Sequence, residues 1–361
     1  MPTALNDLLK ATSRSFYLTL RVLPAAVRPQ IGLAYLLART TDTIADTEIL
    51  PVEQRLDALQ KLRERILGQS SAPLDFGVLA QNQNLSAEKL LLEKVEASLA
   101  ALKEFPDADQ KLIRDVLATI TSGQELDLRR FGRWGETPGE PVLAHGHHPD
   151  SAREDSRPTN QIIALETAAE LDDYTYRVAG CVGEFWTRIC RAHLFPQAKL
   201  DEKQFIADGI RFGKGLQIVN ILRDLPADLK KGRCYLPLEK LRPAGLSPEN
   251  LLSPENEAKF LPLFRNHLDL AESHLAAGWN YTNTLPFGQF RVRLACAWPI
   301  LIGLRTIEKL RAANAIGLQQ RVKVSRGEVR GIMLRSALAS PLPFAWRRLV
   351  SSRRKSSCIR P

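Results

Sequence analysis

The sequence predicts an all-α fold. Apolar side chains recur with the 3.6-residue period of a helix along most of the 361 residues. No run of short alternating strands with hairpin turns interrupts them, and no segment repeats at a fixed period. Two apolar stripes show the pattern most clearly: Ile31, Ala34, Tyr35 and Ala38, and Leu56, Leu59, Leu62 and Ile66.

The predicted helices follow one another along the chain, with one irregular stretch between them. The apolar period predicts helices over residues 28–47, 51–67, 86–105, 107–131, 160–195, 201–225, 255–281 and 290–313. Residues 132–160 are rich in Gly, Pro and charge, which favours a long loop. His145, His147 and His148 lie in this loop, where we expect solvated side chains rather than metal ligands. The flanking helices have the pattern of one core, so we expect one domain over residues 1–340 and a basic tail over residues 341–361.

The composition is that of an ordinary folded protein with an excess of positive charge. Hydrophobic residues make up 44% of the chain, charged residues 25%, and the net charge is +10. That surplus suits an anionic partner: nucleic acid, anionic lipid or a phosphorylated small molecule. Nucleic acid is disfavoured because the sequence has no recognition motif and no stripe of alternating aromatic and basic residues.

The cysteines and the apolar runs predict a reduced protein without a membrane span. The five cysteines are widely spaced and form no CxxC pair, which is typical of a reduced intracellular chain. The first residues lack the apolar core of a signal peptide. The longest apolar run, residues 294–304, is shorter than the roughly 20 residues of a spanning helix. We expect a cytoplasmic protein, with peripheral contact to the inner face of the cell membrane through the basic tail as an option.

Two pairs of aspartates carry the clearest chemical signal. Asp42 and Asp46 are four residues apart in one predicted helix, and Asp224 and Asp228 repeat that spacing later in the chain. Residues i and i+4 are neighbours on a helix, so each pair places two like charges together beside apolar residues. Such carboxylates need a cation, and Mg²⁺ fits because it bridges carboxylates to substrate phosphates. Ordinary solvated surface pairs are the alternative reading.

Basic residues accompany both pairs. Arg39 precedes Asp42 by three residues, and Arg223 is adjacent to Asp224. These arginines indicate either intrahelical ion pairs or guanidinium groups that hold phosphate oxygens. Pro226 follows Asp224 by two residues, where we expect it to kink or tighten the helix.

Four blocks of the chain resemble those of the squalene/phytoene synthases, the head-to-head prenyl transferases. The blocks are SRSFYLTLRVLP (13–24), YLLARTTDTIADT (35–47), DDYTYRVAGCVGEFW (172–186) and QIVNILRDLPADLKKGRCYLP (217–237). One block alone would be a weak signal, whereas four blocks in the expected order are specific. The resemblance extends over residues 13–334 and implies a single helical domain of the isoprenoid-synthase type around a central apolar cavity.

The resemblance also implies roles for individual residues. The catalytic residues would be Tyr174, Asp42, Asp46, Asp224 and Asp228, and the metal ligands would be the same four aspartates together with Asn220. Contacts to the substrate diphosphate are implied for Ser13, Arg14, Ser15, Tyr35, Arg39, Gln217, Arg223 and Arg233. Contacts to a nicotinamide cofactor are implied for Asn220, Arg233, Lys323 and Arg326. The segment KKGR would form a flap over the diphosphate, with Gly232 as its pivot.

The family's chemistry gives these residues their tasks. Metal ions and arginines bind the diphosphate of a prenyl donor and promote its departure, which leaves an allylic carbocation. The apolar cavity excludes water, so the cation meets the second prenyl chain instead. Tyr174 would steer the cation with its ring and relay a proton with its oxygen. Gly180 and Gly183 would either widen the tunnel for a long isoprenoid or permit the close approach of another helix.

Sequence details favour one member of the family. RTTDTIADT is more similar to the squalene-synthase motif than to the DD opening of phytoene and presqualene enzymes. Residues 321–334 resemble the segment that holds NADPH in squalene synthases, although Ser325 replaces a basic residue there. We therefore expect a monomer that condenses two farnesyl diphosphates with Mg²⁺ to presqualene diphosphate and reduces this to squalene with NADPH. The alternatives are a non-reducing member that makes dehydrosqualene, presqualene diphosphate or phytoene, a nucleic-acid binder, and an inactive helical scaffold.

Overall fold

A computed structural model describes residues 3–13, 16–132, 161–313, 316 and 322–357. Within these ranges the chain is built almost entirely from helices, which confirms the all-α prediction. In chain order the helices are α1 (Thr3–Thr12), α2 (Phe16–Val22), α3 (Arg28–Ala45), α4 (Val52–Leu67), α5 (Gly77–Gln81), α6 (Ser86–Glu93), α7 (Val95–Lys103), α8 (Asp107–Phe131), α9 (Ala168–Thr175), α10 (Cys181–Leu194), α11 (Glu202–Lys230), α12 (Leu238–Leu241), α13 (Glu257–Thr284), α14 (Phe290–Arg311), α15 (Arg326–Ala339) and α16 (Pro343–Ser357). A π-helical turn, Tyr176–Gly180, joins α9 directly to α10.

Helix α11 occupies the centre of the packing. It lies along α13 and also contacts α10 and α14, while α3 and α4 pack on α8. One apolar core cluster is centred on α3, α4, α7 and α8, and a second on α11, α13 and α14. A third, smaller cluster joins α8, α9 and α11 through Phe131, Leu165, Leu171, Tyr174, Ile221 and Tyr235. Asp224, Asp228 and Tyr174 lie on helices that meet at this third cluster, whereas Asp42 and Asp46 lie on α3, which packs on α8.

Two short strands interrupt the helical pattern within the described residues, at the start of the segment 160–195 and after α11. Ile163–Ala164 (β1) pairs in parallel with Arg233–Cys234 (β2), and Ile163 lies opposite Arg233. The backbone N–H of Ile163 donates to the carbonyl of Gly232 at 2.9 Å. Strands of two residues leave no alternating pattern, so the sequence could not predict them. Their pairing fixes the backbone of Arg233 directly after α11.

Helix α11 continues through Pro226 and ends at Lys230. The expected disturbance at Pro226 therefore does not separate Asp224 from Asp228, which keep their helical spacing. Gly232 follows with a φ of 71°, in the left-handed region that favours glycine. This turn directs the chain from α11 into β2.

Close packing of α10 on α11 explains the glycines of the central block. A Cβ on Gly183 would overlap the backbone carbonyl of Gly209, and one on Gly213 would overlap the carbonyl of Ala179. A Cβ on Gly180 would meet neighbouring side chains at 3.1–3.3 Å. The two helices can touch only because these positions lack side chains. Of the two explanations for Gly183, close helix packing is therefore the one that the structure supports.

The predicted loop and tail have different outcomes. Residues 133–160, including the three histidines, lie outside the described residues. The segment after residue 340 begins as α16, in which Trp346 is buried and stacks on Trp279 with ring centroids 5.2 Å apart. Trp346 Nε1 also donates to Asn283 Oδ1 at 2.9 Å. The domain boundary at residue 340 stays a prediction, but the start of α16 packs on α13.

Among the described helices, none combines the length and the apolar character that crossing a bilayer would require.

Candidate active site

Five aspartates from three parts of the chain form what we refer to as the acidic cluster. Asp42 lies on α3 and Asp46 caps its end, Asp127 lies on α8, and Asp224 and Asp228 lie on α11. Asp127 interacts electrostatically with both Asp46 and Asp228, so it links the two predicted pairs. The structure thus brings together aspartates that are far apart in the sequence.

Asp42 is held by neighbours on two sides. Gln124 Nε2 donates to Asp42 Oδ1 at 2.5 Å, and Arg39 Nη1 lies 3.8 Å from Asp42 Oδ2. The N–H of Asp46 donates to the carbonyl of Asp42 at 2.8 Å, as their helical spacing requires. Water still reaches 47% of the Asp42 side chain, but the surrounding protein restricts its hydration. That restriction, together with the charge of Asp46, raises the pKa of Asp42 to about 6.

In the second pair, as in the first, one aspartate has a raised pKa. Burial, followed by the charge of Asp224, raises the pKa of Asp228 to about 7. Asp224 itself accepts two hydrogen bonds from Arg223, from Nε at 3.0 Å and from Nη2 at 2.6 Å. Carboxylates that are crowded and poorly hydrated are stabilised in their ionised form when a cation is added.

Arg233 is the central cation of the site. Its Nη2 lies 3.6 Å from Glu48 Oε1, its Nη1 lies 4.0 Å from Asp127 Oδ2, and its side chain is only 18% exposed. Lys231 Nζ donates to the same Glu48 oxygen at 2.7 Å. These ion pairs tie the end of α11 to the chain just after α3. The KKGR segment is therefore held in place by ion pairs and by β2, and its role as a flap over the diphosphate stays a prediction.

Tyr174 lies beside the acidic cluster on α9. It is buried and stacks on Tyr235, with ring centroids 4.7 Å apart and planes 23° apart. The hydroxyl of Tyr235 donates to the carboxylate of Asp127 at 3.0 Å and also interacts with the hydroxyl of Tyr174. Burial, followed by the charge of Asp127, raises the pKa of Tyr174 far above its ordinary value. The phenol is thus protonated at neutral pH and connected through Tyr235 to a carboxylate.

A cleft of about 330 Å³ opens beside the first aspartate pair. Arg39, Asp46, Glu48, Asn82 and Glu88 are among the residues that line it. Within the cleft, Arg39 Nη2 donates to Glu88 Oε1 at 2.6 Å. The guanidinium of Arg39 therefore lies between two carboxylates, those of Glu88 and Asp42.

The remaining predicted diphosphate contacts lie in different environments. Tyr35 is half-buried one turn before Arg39, and its hydroxyl donates to the carbonyl of Thr12 at 3.3 Å. Gln217 and Asn220 are half-buried on α11, with Asn220 one turn before Asp224.

The N-terminal block is the predicted contact that the structure supports least. Ser13 is buried, and its hydroxyl donates to the carbonyl of Leu9 at 2.5 Å, so it points into the protein. Arg14 and Ser15 lie outside the described residues.

Of the four residues predicted to contact NADPH, Asn220 and Arg233 lie at the acidic cluster, and the other two lie on a different part of the fold. Lys323 and Arg326 are exposed near the start of α15, which packs on α14 and α16. The carbonyl of Lys323 accepts a hydrogen bond from Lys309 Nζ at 3.0 Å. In the part of the chain that the structure describes, no hydrogen bond or ion pair connects these two residues with the acidic cluster. Their role in cofactor binding stays a prediction.

The comparisons with known proteins decide the family. A model of the squalene/phytoene synthase family matches residues 9–328. This chain belongs to the squalene/phytoene synthase family. Its relatives include both phytoene synthases and squalene synthases.

The curated relatives of this family member differ in how much of their length the chain covers. The bifunctional lycopene cyclase/phytoene synthase of Pyrenophora tritici-repentis is 30% identical over 72% of this chain and 38% of that protein. The phytoene synthase of Pseudescherichia vulneris is 29% identical over 64% of this chain and 71% of that protein. The squalene synthase ERG9 of Saccharomyces cerevisiae is 26% identical over 91% of this chain and 66% of that protein. The chain thus spans about a third of the bifunctional relatives and about two thirds of the yeast enzyme.

Solved structures share the fold of this chain. The complex of TcSQS with the ligand BPH1237 has a TM-score of 0.74 and 21% identity, covering 99% of this chain and 91% of that one. A dehydrosqualene synthase in complex with a ligand has a TM-score of 0.61 and 19% identity, covering 94% and 96% respectively. At these identities the likeness establishes the all-helical fold.

The acidic cluster suits a divalent metal. Enzymes of this family use such a metal with prenyl diphosphate substrates. Within the described residues, no three His, Cys, Asp or Glu side chains are arranged as a ready cage for one ion. Two open aspartate pairs fit Mg²⁺ better than a cage would, because Mg²⁺ usually takes one or two carboxylates and fills its other positions with water and phosphate oxygens.

The raised carboxylate pKa values predict an unusual pH dependence of stability for this protein. Asp42, Asp127 and Asp228 have folded-state pKa values of about 6, 6 and 7, against about 3.9 for an unfolded aspartate. The folded protein then holds protons that the unfolded chain has released, so these groups stabilise it at low pH and lose that effect as pH rises through 7. We expect the metal-free protein to melt several degrees lower at pH 8 than at pH 5.5, and Mg²⁺ to restore stability at pH 8.

The control for this prediction is the double variant Asp42→Asn, Asp228→Asn. Because it lacks two of the three titrating carboxyl groups, its melting temperature should change much less between the two pH values. Equal pH dependence in the variant and the original protein would show that other groups cause the effect.

Proposed function

We propose that this synthase joins two farnesyl diphosphates head to head to presqualene diphosphate and then reduces this product to squalene with NADPH. The observation that carries the proposal is the convergence of both aspartate pairs with Arg233 and Tyr174. A prenyl diphosphate needs positive charge at its phosphates and a dry, polarisable surface at its allylic carbon. Mg²⁺ bound at the acidic cluster, together with Arg233, would supply the positive charge, and the stacked rings of Tyr174 and Tyr235 would supply the surface.

The proposed first step is departure of the diphosphate. Bound at the aspartate pairs, Mg²⁺ would neutralise the charge that develops on the leaving group. Arg39 and Arg233 would contact the phosphate oxygens, and each can exchange a carboxylate partner, Glu88 or Glu48, for a phosphate. Guanidinium groups suit this exchange because their planar fork of donors matches phosphate as well as carboxylate.

Tyr174 would act on the carbocation that remains. Stacking against Tyr235 fixes the orientation of the Tyr174 ring, and the raised pKa keeps its hydroxyl protonated. An aromatic face stabilises a nearby cation by its quadrupole. Loss of a proton from the second prenyl chain can proceed through the tyrosine hydroxyls toward Asp127, whose raised pKa suits a proton acceptor.

The squalene product is supported by the RTTDTIADT motif and by relatives such as the yeast squalene synthase, which matches 91% of this chain. Phytoene synthases are relatives at similar identity. The exposed positions of Lys323 and Arg326 add no support for NADPH. A non-reducing product, whether dehydrosqualene, presqualene diphosphate or phytoene, is therefore the second candidate. The monomeric state and the cytoplasmic location stay predictions.

One incubation separates these products. Purified protein is given farnesyl diphosphate and Mg²⁺, with and without NADPH, and the hydrocarbons and diphosphates are identified by mass spectrometry. We expect squalene with NADPH and presqualene diphosphate without it, and no product after a chelator removes the metal.

Other outcomes would assign a different product or contradict the proposed role of the metal. A C30 hydrocarbon that is unaffected by NADPH would identify a non-reducing enzyme. Phytoene from the C20 diphosphate, with no product from the C15 diphosphate, would make it a phytoene synthase. Condensation that continues without any divalent metal would contradict the role of the aspartates.

A further inference from the structure

Helices α15 and α16 carry exposed apolar side chains that belong to none of the three core clusters. Their exposed fractions are 62% for Leu334, 66% for Leu338, 58% for Leu342 and 68% for Phe344. Phe287, 59% exposed, lies at the same end of the molecule, because it lines a small cleft together with Pro343 and other residues of the α15–α16 junction. We refer to these residues as the apolar patch: Phe287, Leu334, Leu338, Leu342 and Phe344.

The patch is held in a fixed position. On α15, Ile332 and Ser336 face inward, and Ser336 Oγ accepts a hydrogen bond from Trp298 Nε1 at 3.0 Å. Leu334 and Leu338 are each two residues further along, which places them on the opposite, outer side of the helix. The buried indole of Trp346 anchors α16 to α13 in the same way. These leucines are therefore presented outward by helices that are themselves packed on the core.

Basic residues surround the patch. The outer side of α15 begins with Arg326 and Arg330, at the same four-residue spacing that leads on to Leu334 and Leu338. The guanidinium of Arg348 lies 4.0 Å from the ring centre of Phe344. Residues 329–361 contain eight Lys and Arg and no Asp or Glu, which accounts for most of the net charge of +10.

We propose that the apolar patch docks this protein on the surface of an anionic lipid bilayer. Apolar side chains of an amphipathic surface enter the boundary between headgroups and acyl chains, while flanking arginines meet lipid phosphates. Clusters of four to eight basic residues beside such a surface favour acidic lipids, at about 1 kcal/mol per residue near the membrane. The inference is independent of the reaction that the acidic cluster catalyses.

Charge separates the bilayer from the other obvious occupant, a second copy of the chain. A two-fold dimer would place this patch against itself, since both subunits use the same surface. The arginines around one patch would then face those around the other, with no acidic residue from the segment 329–361 to compensate them. An anionic bilayer covers the same apolar area and supplies the opposite charge.

Sedimentation with lipid vesicles tests the proposal. The full chain is mixed with vesicles of phosphatidylcholine alone, or of equal parts of phosphatidylcholine and phosphatidylglycerol. We expect binding to the mixed vesicles and little binding to the neutral ones. The triple variant Leu334→Ser, Leu338→Ser, Phe344→Ser should bind at least about tenfold more weakly, because it lacks three of the apolar side chains that would enter the bilayer. The matched control Val78→Ser, Leu85→Ser, Leu252→Ser removes three exposed apolar side chains elsewhere and should bind as the original protein does.

Melting temperatures show whether both triple variants are folded, which we expect because every changed side chain is exposed. Three outcomes would overturn the proposal. The original protein could stay in the supernatant with anionic vesicles, or the first triple variant could bind as tightly as the original. Light scattering could instead show a dimer that the same variant converts to a monomer, which would assign the patch to self-association.

Discussion

Replacement of Asp42 by asparagine is expected to lower kcat/KM by at least about 10³-fold, because a site that positions metal and phosphate loses electrostatic stabilisation of this order with one group. Asparagine keeps the oxygen that accepts from Gln124 Nε2 at 2.5 Å, so the local geometry should persist. It also removes one of two adjacent negative charges whose mutual repulsion helps to raise the pKa of Asp42. The metal-free variant should therefore melt at the same temperature as the original protein at pH 8, or slightly higher.

The test is informative because activity should fall while the melting temperature stays the same or rises slightly. A purely structural aspartate would lose stability and activity together, whereas a metal ligand loses activity alone. Asp57→Asn is the matched control, because Asp57 pairs with Lys61 on the exposed face of α4 and should change neither quantity. If Asp42→Asn kept more than a tenth of the original activity, the metal-binding role of Asp42 would be refuted.

Arg233→Gln is expected to reduce both stability and activity. The guanidinium lies close to Glu48 and Asp127 and is largely shielded from water, so its loss leaves the acidic cluster without its central cation. Breaking a buried ion pair costs about 3–5 kcal/mol; the partial exposure here suggests about 2 kcal/mol at pH 8. The loss should be smaller at pH 6, since Asp127 and Asp228 can then take up protons. Activity should fall by about 10²–10³-fold.

Arg233→Lys separates the charge from the shape of the side chain. Lysine retains the positive charge, so most of the stability should return, but its single ammonium cannot contact two oxygens side by side as a guanidinium does. We expect kcat/KM to stay low. The control Arg242→Gln removes an arginine whose ion pair with Glu166 is exposed on both sides, and it should change stability by less than about 0.5 kcal/mol. Full activity in Arg233→Lys would mean that charge alone suffices at this position.

Local patterns in the sequence were enough to predict the fold class and the two aspartate pairs. Helical periodicity is repeated over many residues, so tertiary packing does not easily override it. The i, i+4 spacing holds for Asp42 and Asp46, and it holds for Asp224 and Asp228 despite Pro226. That the pairs meet was implied by the resemblance to the family, and the contact between Glu48 and Lys231 supplies the physical link.

The residues that sequence reasoning missed are those whose partners are distant in the chain. Gln124 and Asp127 share one side of α8, but a polar pair at that spacing is equally common on a solvated surface. Tyr235 offered a better signal, because it follows Arg233 by two residues and alternate residues of an extended segment point the same way. The closeness of Gly183 to Gly209 could not be predicted, since it depends on which helix packs against α10.

The ion pair between Glu48 and Lys231 joins residues that are 183 positions apart. A ribosome adding about 5–20 residues per second needs roughly 10–40 s to make the chain between them. Throughout that interval the first aspartate pair has been synthesised, but its basic counterpart has not. The nascent chain therefore carries the first aspartate pair with Arg39 as its neighbouring cation, and Lys231 and Arg233 can join the site only after synthesis has passed them.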